Sequence, residues 1–235
     1  MLKSILLCTF NESESISAAV NVIEKKIDNC EIIIVDDNST DGTLNKLKEL
    51  QFKKNVKILI RKKNKGLASA FLRGIMLANG EYIGWIDTNM NYLIEKFKFM
   101  EDLLNGDDID IVVLSRYVEN GGDERDFLRR FSSKYLNKFC KFIYRSKIND
   151  FSSGIFLMKK KILDEVSIIG YGHGDFFIEF LHNIEKKGFK IKELPYIQKK
   201  DTLPINSKSA PNIFKFVLYG VQYFLRIINS VFRNT

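Results

Sequence analysis

Three carboxylates stand where apolar runs stop. Asp36 and Asp37 close the run 31–35, and Asp87 closes the run 82–86. Asn89 and Asn91 follow Asp87 in the stretch "IDTNMN". Gathered in one crevice, the three acids would repel one another. A divalent cation, ligand hydroxyls or base N–H groups would relieve that repulsion. Asp36 and Asp37 also have a structural use, because "DDNSTDG" suits a turn that caps the next helix. Asp87 at an equivalent run end favours a shared site.

The elements that must position these groups alternate. Strand-like runs fall at 4–9, 31–35, 56–60, 82–86 and 109–114, and helical patterns at 13–27, 43–50, 67–78 and 92–104. Continuous apolar strands separated by helices predict a mostly parallel sheet covered on both faces. Ligands bind beyond the carboxyl ends of such strands. Thr9 to Glu12, Asp36 to Asn38, Asp87 to Asn89 and Ser115-Arg116 occupy those ends.

The remainder is more basic and aromatic. A helix is predicted over 126–144, a loop, short strand and helix from 149 onward, a helix over 174–187 and a last strand over 189–194. Residues 198–212 carry two of the three prolines and read as a loop. In the last helical stretch, 213–233, Lys215, Gln222, Arg226, Asn229 and Arg233 project onto one narrow polar stripe. The other positions are mostly apolar. That helix suits a membrane interface or an oligomer contact, or else packs on the domain with one wet edge. The chain thus divides into an α/β domain, 1–210, and a C-terminal amphipathic helix, 211–235.

With 235 residues, 45% hydrophobic and 28% charged, the chain has the composition of a folded domain. The net charge of +8 favours an anionic partner, or reflects plain solubility. Its basic residues do not interleave with stacking aromatics in a nucleic-acid module, so no nucleic-acid partner is expected. Cys8, Cys30 and Cys140 are odd in number and far apart, which argues against a zinc site or a disulfide framework and fits a reducing cytoplasm. No signal peptide and no spanning run of about 18 apolar residues is read.

"CTFNE", "IIIVDDNSTDGT", "NKGLASAFLRGI", "GEYIGWIDTN" and "LSRYVENGG" occur in that order. Together they resemble the nucleotide-sugar-dependent glycosyltransferases of family 2, with the GT-A (Rossmann-like) fold. The similarity is greatest to dolichol-phosphate mannose synthase and the bacterial polyprenyl-phosphate glycosyltransferases, over about residues 3–210.

The resemblance implies a role for each matching position. Cys8, Phe10 and Glu12 would pack on the nucleoside and hold its ribose, with Cys8 in place of proline and Phe10 in place of tyrosine. Asp37 would accept from base or ribose. Asp87-Thr88-Asn89 stands at the family's Asp-x-Asp, which meets the donor ribose and a metal. Asn89 replaces the second acid there and Asn91 a glutamine ligand. Asp87, Asn89 and Asn91 would therefore form a weak site for Mg2+ or Mn2+. Arg116, Arg129 and Ser133 would meet an acceptor phosphate, joined by Lys200. Ser207-Lys208 matches a donor-side motif, although the match around Lys200 is loose.

The implied reaction is a single displacement with inversion, from a GDP- or UDP-sugar to a polyprenyl phosphate, with Asp87, Asn89 and Arg116 as the catalytic set. The enzyme would sit on the cytoplasmic membrane face. Two other readings stay open. Transfer to a glycan hydroxyl needs a base, for which Asp150, Asp175 and Glu179 are candidates, and Glu179 equally suits a sugar contact. A nucleotide-sugar-binding protein would bind without turnover. His173, between two glycines, reads as a loop residue.

Overall fold

The structure is a computed structural model that describes residues 1–106, 108–200 and 213–233. Its first half runs β1 (Lys3–Thr9), α1 (Ile16–Lys26), β2 (Cys30–Asp36), α2 (Thr43–Leu50), β3 (Val56–Ile60), α3 (Leu67–Leu77) and β4 (Tyr82–Trp85). A 3-10 turn (Thr88–Leu93) leads to α4 (Lys96–Gly106) and β5 (Ile111–Ser115). Then come β6 (Gly122–Asp123), α5 (Phe127–Tyr144), β7 (Phe156–Lys159) and a 3-10 turn (Lys160–Asp164). The chain continues with α6 (Asp175–Lys186), β8 (Ile191–Pro195), β9 (Ile197–Gln198) and α7 (Ile213–Phe232).

Seven strands form one sheet in the order β3-β2-β1-β4-β7-β5-β8, with β7 antiparallel to both neighbours and the other pairs parallel. The expected mostly parallel sheet is therefore present. Side chains alternate across it. Ile5, Leu7, Ile32 and Ile34 point into one core with α1, α2 and α4. Leu6, Ile33 and Val35 point into the other, with α3 and α6. In that second core Trp85 packs against Phe71, Phe156, Phe176 and Phe177. Burial on both faces explains why these strands read as unbroken apolar runs.

Register fixes the rim. Thr9 pairs with Asp36 and Asp36 with Ile60, while Leu6 pairs with Trp85. The ends of β1 to β4 therefore open on one edge, and the acidic residues that follow them share it. The predicted helix over 92–104 begins later, at Lys96, because a 3-10 turn follows Asp87 directly.

The C-terminal helix departs from expectation. One of the readings open to it packs it on the domain with its polar stripe as the wet edge. Arg226 is instead buried at 5% exposure, beside Ile227 and Ser230 at 1% each. The helix rests on α5 and α6. Phe224 stacks on Phe139, and the Ser230 and Tyr144 hydroxyls lie 2.7 Å apart. The face left exposed carries Val217, Leu218, Val221, Phe224, Leu225, Val231 and Phe232. Beside it α5 exposes Phe127, Leu128, Phe131, Tyr135 and Phe142. Among the described residues no helix is long and apolar enough to cross a membrane.

Candidate active site

The two aspartates at the end of β2 have separate tasks. Asp36 faces inward, accepting from the Thr9 and Ser39 hydroxyls at 2.8 and 2.6 Å and from the Ser39 N–H at 2.8 Å. It is the turn-holding group that "DDNSTDG" allows. Asp37 takes Arg61 on one oxygen, from Nε at 2.8 Å and from Nη2, and the Gly66 N–H at 2.7 Å on the other. Gly66 sits at φ +131°, where a side chain would be strained. The strand-end rule, applied to the run 56–60, would have pointed to Arg61; it was overlooked because it opens the lysine-rich stretch "RKKNK".

Asp41 fixes the rest of that turn. Its carboxylate accepts from the Thr43 hydroxyl, the Thr43 N–H at 3.1 Å and the Ser13 N–H at 3.1 Å. Burial works against the charge, but these bonds hold its pKa well below the usual carboxylate range. The loop after β1 is thereby tied to the start of α2.

Cys8 lies between the two acidic groups. Burial pushes its thiol well up, reinforced by the charges of Asp87 and Asp37 and opposed by Arg61. One side chain thus senses Asp37 and Asp87 together, and the two share one rim. Phe10 is exposed at its edge, with the Lys65 ammonium 5.8 Å from the ring centre.

Asp87 is exposed at the rim. Partial desolvation by the protein atoms around its carboxylate, followed by the charge of Glu12, raises its pKa to about 6. Glu12 is held in place: one of its oxygens accepts from Ser15 at 2.7 Å and from Thr88 at 2.9 Å. Thr88 is buried, so it meets the site through Glu12. Asn89 is exposed and Asn91 half-buried on the same turn. Tyr92, next in the chain, accepts from the Lys199 N–H at 3.3 Å and lies under its ammonium at 4.8 Å. The turn is thereby tied to the backbone just before Lys200. Among the described residues no three His, Cys, Asp or Glu groups cluster as a metal cage.

A second cluster surrounds Arg116. This guanidinium, the expected contact of an acceptor phosphate, is 4% exposed and forms a bidentate pair with Asp150, both bonds at 2.8 Å. Burial opposes its charge, but Asp150 drives its pKa above the ordinary arginine value. Asp150 is fully buried and also accepts the Arg116 N–H at 2.9 Å, so it is not available as a base. Nη2 also donates to Ser152 at 2.8 Å. Ser152 accepts from Asn137 at 2.8 Å and lies 3.4 Å from the Ser133 hydroxyl. Arg116 and Ser133 are thus brought together through Ser152, a residue the sequence reading passed over. Arg129 is half-buried one helical turn before Ser133, and Lys200 is exposed, 3.5 Å from Asp126. Ser207 and Lys208 lie outside the described residues.

Asp175 and Glu179 correct a further expectation. Neither is open to a substrate hydroxyl: they are 5% and 2% exposed. Arg226 donates to Glu179 at 2.6 Å and to Asp175 at 3.1 Å, and Arg233 to Glu179 at 2.8 Å. Arg226 also bonds the Tyr171 and Ile169 carbonyls at 2.6 and 3.2 Å. A Cβ at Gly172, whose φ is +94°, would lie 2.6 Å from Nη1 of Arg226 and 2.7 Å from the Asp175 carboxylate. The two acids thus form the socket of α7. His173 is a loop residue stacked 5.5 Å from Tyr219; burial lowers its pKa, against the pull of Asp175.

Strand order and rim define a GT-A α/β fold, one built to hold a ligand at the ends of its parallel strands. The chain belongs to glycosyl transferase family 2, whose sequence model matches residues 4–167. It is 34% identical over 203 residues to the dolichol-phosphate mannosyltransferase of Pyrococcus furiosus, covering 83% of this chain and 56% of that protein. The chain thus spans little more than half the length of that relative. To the polyprenol monophosphomannose synthase of Mycolicibacterium smegmatis it is 24% identical, over 93% of this chain and 86% of the other. The fold is similar to that of glucosyl-3-phosphoglycerate synthase from Mycobacterium tuberculosis, crystallised with Mn2+, uridine diphosphate and glucosyl-3-phosphoglycerate. That match has a TM-score of 0.73 at 15% identity and covers 100% of this chain and 81% of that one.

Proposed function

We propose that the chain transfers a sugar from a nucleoside diphosphate to a polyprenyl phosphate, in one displacement with inversion at the anomeric carbon. The single observation that carries this is the convergence of Asp37, Cys8, Glu12 and Asp87 on one strand-end rim, next to a distinct Arg116–Ser133 cluster. The first accommodates a donor and the second an anion.

Asp87, Asn89 and Asn91 offer hard oxygen donors, and the crowding of Asp87 by Glu12 is what a cation relieves. These three would hold Mg2+ or Mn2+, which supplies charge for the leaving diphosphate. Phe10 offers its exposed ring to the base. Glu12, aligned by Ser15 and Thr88, faces the ribose. The acceptor is a phosphomonoester, whose second pKa of about 6 leaves it mostly ionised near neutrality. It needs orientation rather than a base. This agrees with the engagement of Asp150, Asp175 and Glu179 by arginines, and it disfavours a hydroxyl acceptor.

The exposed apolar faces of α5 and α7 support docking on a membrane surface, which brings the lipid acceptor to the site. Arg130, Lys134, Lys138 and Lys141 flank the aromatic stripe of α5 and are exposed. Vesicle flotation tests this. Replacing Phe131 and Phe232 together with aspartate is expected to lower vesicle binding at least about tenfold. Unchanged binding would remove the membrane-facing role of these helices.

The reaction is tested by incubating the protein and Mn2+ with polyprenyl phosphate and a panel of labelled GDP- and UDP-sugars. Label in the lipid fraction is expected with one of them, and none with any donor would refute the acceptor. A pH titration adds an independent check. With its pKa near 6, Asp87 gains a proton below that pH and loses its hold on a cation. Mn2+-dependent nucleotide binding, followed by calorimetry, is expected to weaken as pH falls from about 7 to about 5. A flat profile would contradict the assignment of Asp87.

A further inference from the structure

We propose that the Tyr117 hydroxyl is a further ligand of the acceptor phosphate, beside Arg116 and Ser133; this rests on the phosphate-acceptor reading above. The phenol oxygen is shut off from solvent and has no hydrogen-bond partner among the described residues. Buried hydroxyls are nearly always paired, because an unmade bond forfeits the hydration the group gave up. Tyr117 immediately follows Arg116, and the guanidinium carbon lies 5.1 Å from its ring centre. Burial raises the Tyr117 pKa, opposed by Arg116 and by the nearby Ser133 hydroxyl, which makes no hydrogen bond to it by geometry.

A second unspent donor is in the same cluster. Arg116 uses Nε and Nη2 on Asp150 and Ser152, while Nη1 makes no hydrogen bond among the described residues. Its nearest carboxylate there, Asp123, is 3.8 Å away and is bonded by Arg125 at 2.6 and 2.9 Å. Asp150 is likewise occupied, by Arg116 and by the Ser152 N–H at 3.1 Å. Tyr117 Oη and Arg116 Nη1 are therefore donors in want of an acceptor. A phosphomonoester dianion supplies three acceptor oxygens and no competing donor. A phenol O–H donated to such an oxygen is a charge-assisted bond, which a neutral hydroxyl acceptor would not match.

Tyr117→Phe removes the oxygen and keeps the ring over Arg116. Geranyl phosphate is a soluble probe of the head group, with geraniol and inorganic phosphate as separate arms. Calorimetry is expected to give a Kd for geranyl phosphate roughly ten- to a hundredfold weaker in the variant, and the KM for polyprenyl phosphate to rise with it. Inorganic phosphate is expected to show the same dependence at lower affinity, and geraniol none. The variant's Tm is expected to equal or exceed that of the wild type, because it loses an unpaired buried group. A purely structural role would lower Tm instead. Equal geranyl phosphate binding by both proteins, no binding by the wild type, or a fall in Tm would each overturn the assignment. A wild type that binds geranyl phosphate through Tyr117 but transfers no sugar to lipid would leave the assignment standing and refute the proposed reaction.

Discussion

Asp87→Asn is expected to lower kcat/KM by roughly a hundred- to a thousandfold while leaving the protein at least as stable as the wild type. The expected activity loss follows from removing the one full negative charge that the turn would offer the proposed cation, and electrostatic groups of this kind are worth about that much. The stability gain has a separate cause. Partial desolvation and then the charge of Glu12 raise the folded pKa of Asp87 to about 6 against an ordinary 3.8. An acid whose pKa is raised on folding binds its proton more tightly in the native state. Its ionisation therefore costs stability as pH rises from about 4 to about 6, and that cost is fully present above 6. The Tm advantage of Asp87→Asn should be small near pH 4, grow to about pH 6 and then level off. Steady-state kinetics with saturating donor, and melting curves across that range, check both halves. A variant that is both inactive and less stable at pH 7 would mean that Asp87 is a structural group.

The second large effect concerns the seat of α7. Arg226→Met leaves Asp175 and Glu179 buried with only Arg233 to compensate them. Removing one partner of a buried ion cluster costs about 3–5 kcal/mol. For a chain of this size that is a fall in Tm of roughly 10 °C. Adding Asp175→Asn and Glu179→Gln is expected to restore most of the loss, because the penalty lies in the uncompensated charges rather than in packing. Thermal denaturation of the single and triple variants decides the matter. If the triple variant is no more stable than the single one, the guanidinium acts through shape alone.

The sheet was legible because both of its faces are buried. Runs such as "IIIV" carry the mark of a strand between two cores, and the polar groups after them mark the rim. Asp87 and Glu12 could be placed for that reason. What stayed hidden depends on pairing between distant segments. Asp150 meets Arg116 across 34 residues, and Arg226 meets Glu179 across 47. Periodicity reports which way a side chain points, not what it meets there. Hence the projection puts Arg226 on a polar stripe without pairing it to Glu179, and the strand-end rule places Arg116 without pairing it to Asp150. The helix projection was sound in its angles, but it assigned the arginine side to water. A guanidinium with two carboxylates and two carbonyls around it behaves as an interior group.

Gly172 gives the anchorage of α7 an unexpected address. A Cβ there would press on both ionic partners at once, at a backbone φ that already strains any side chain, so Arg226 or Asp175 would have to shift. The exposed apolar helix is thus vulnerable to a change in a loop 54 residues before Arg226, and a search for determinants of the proposed membrane docking confined to the helix itself would pass it by.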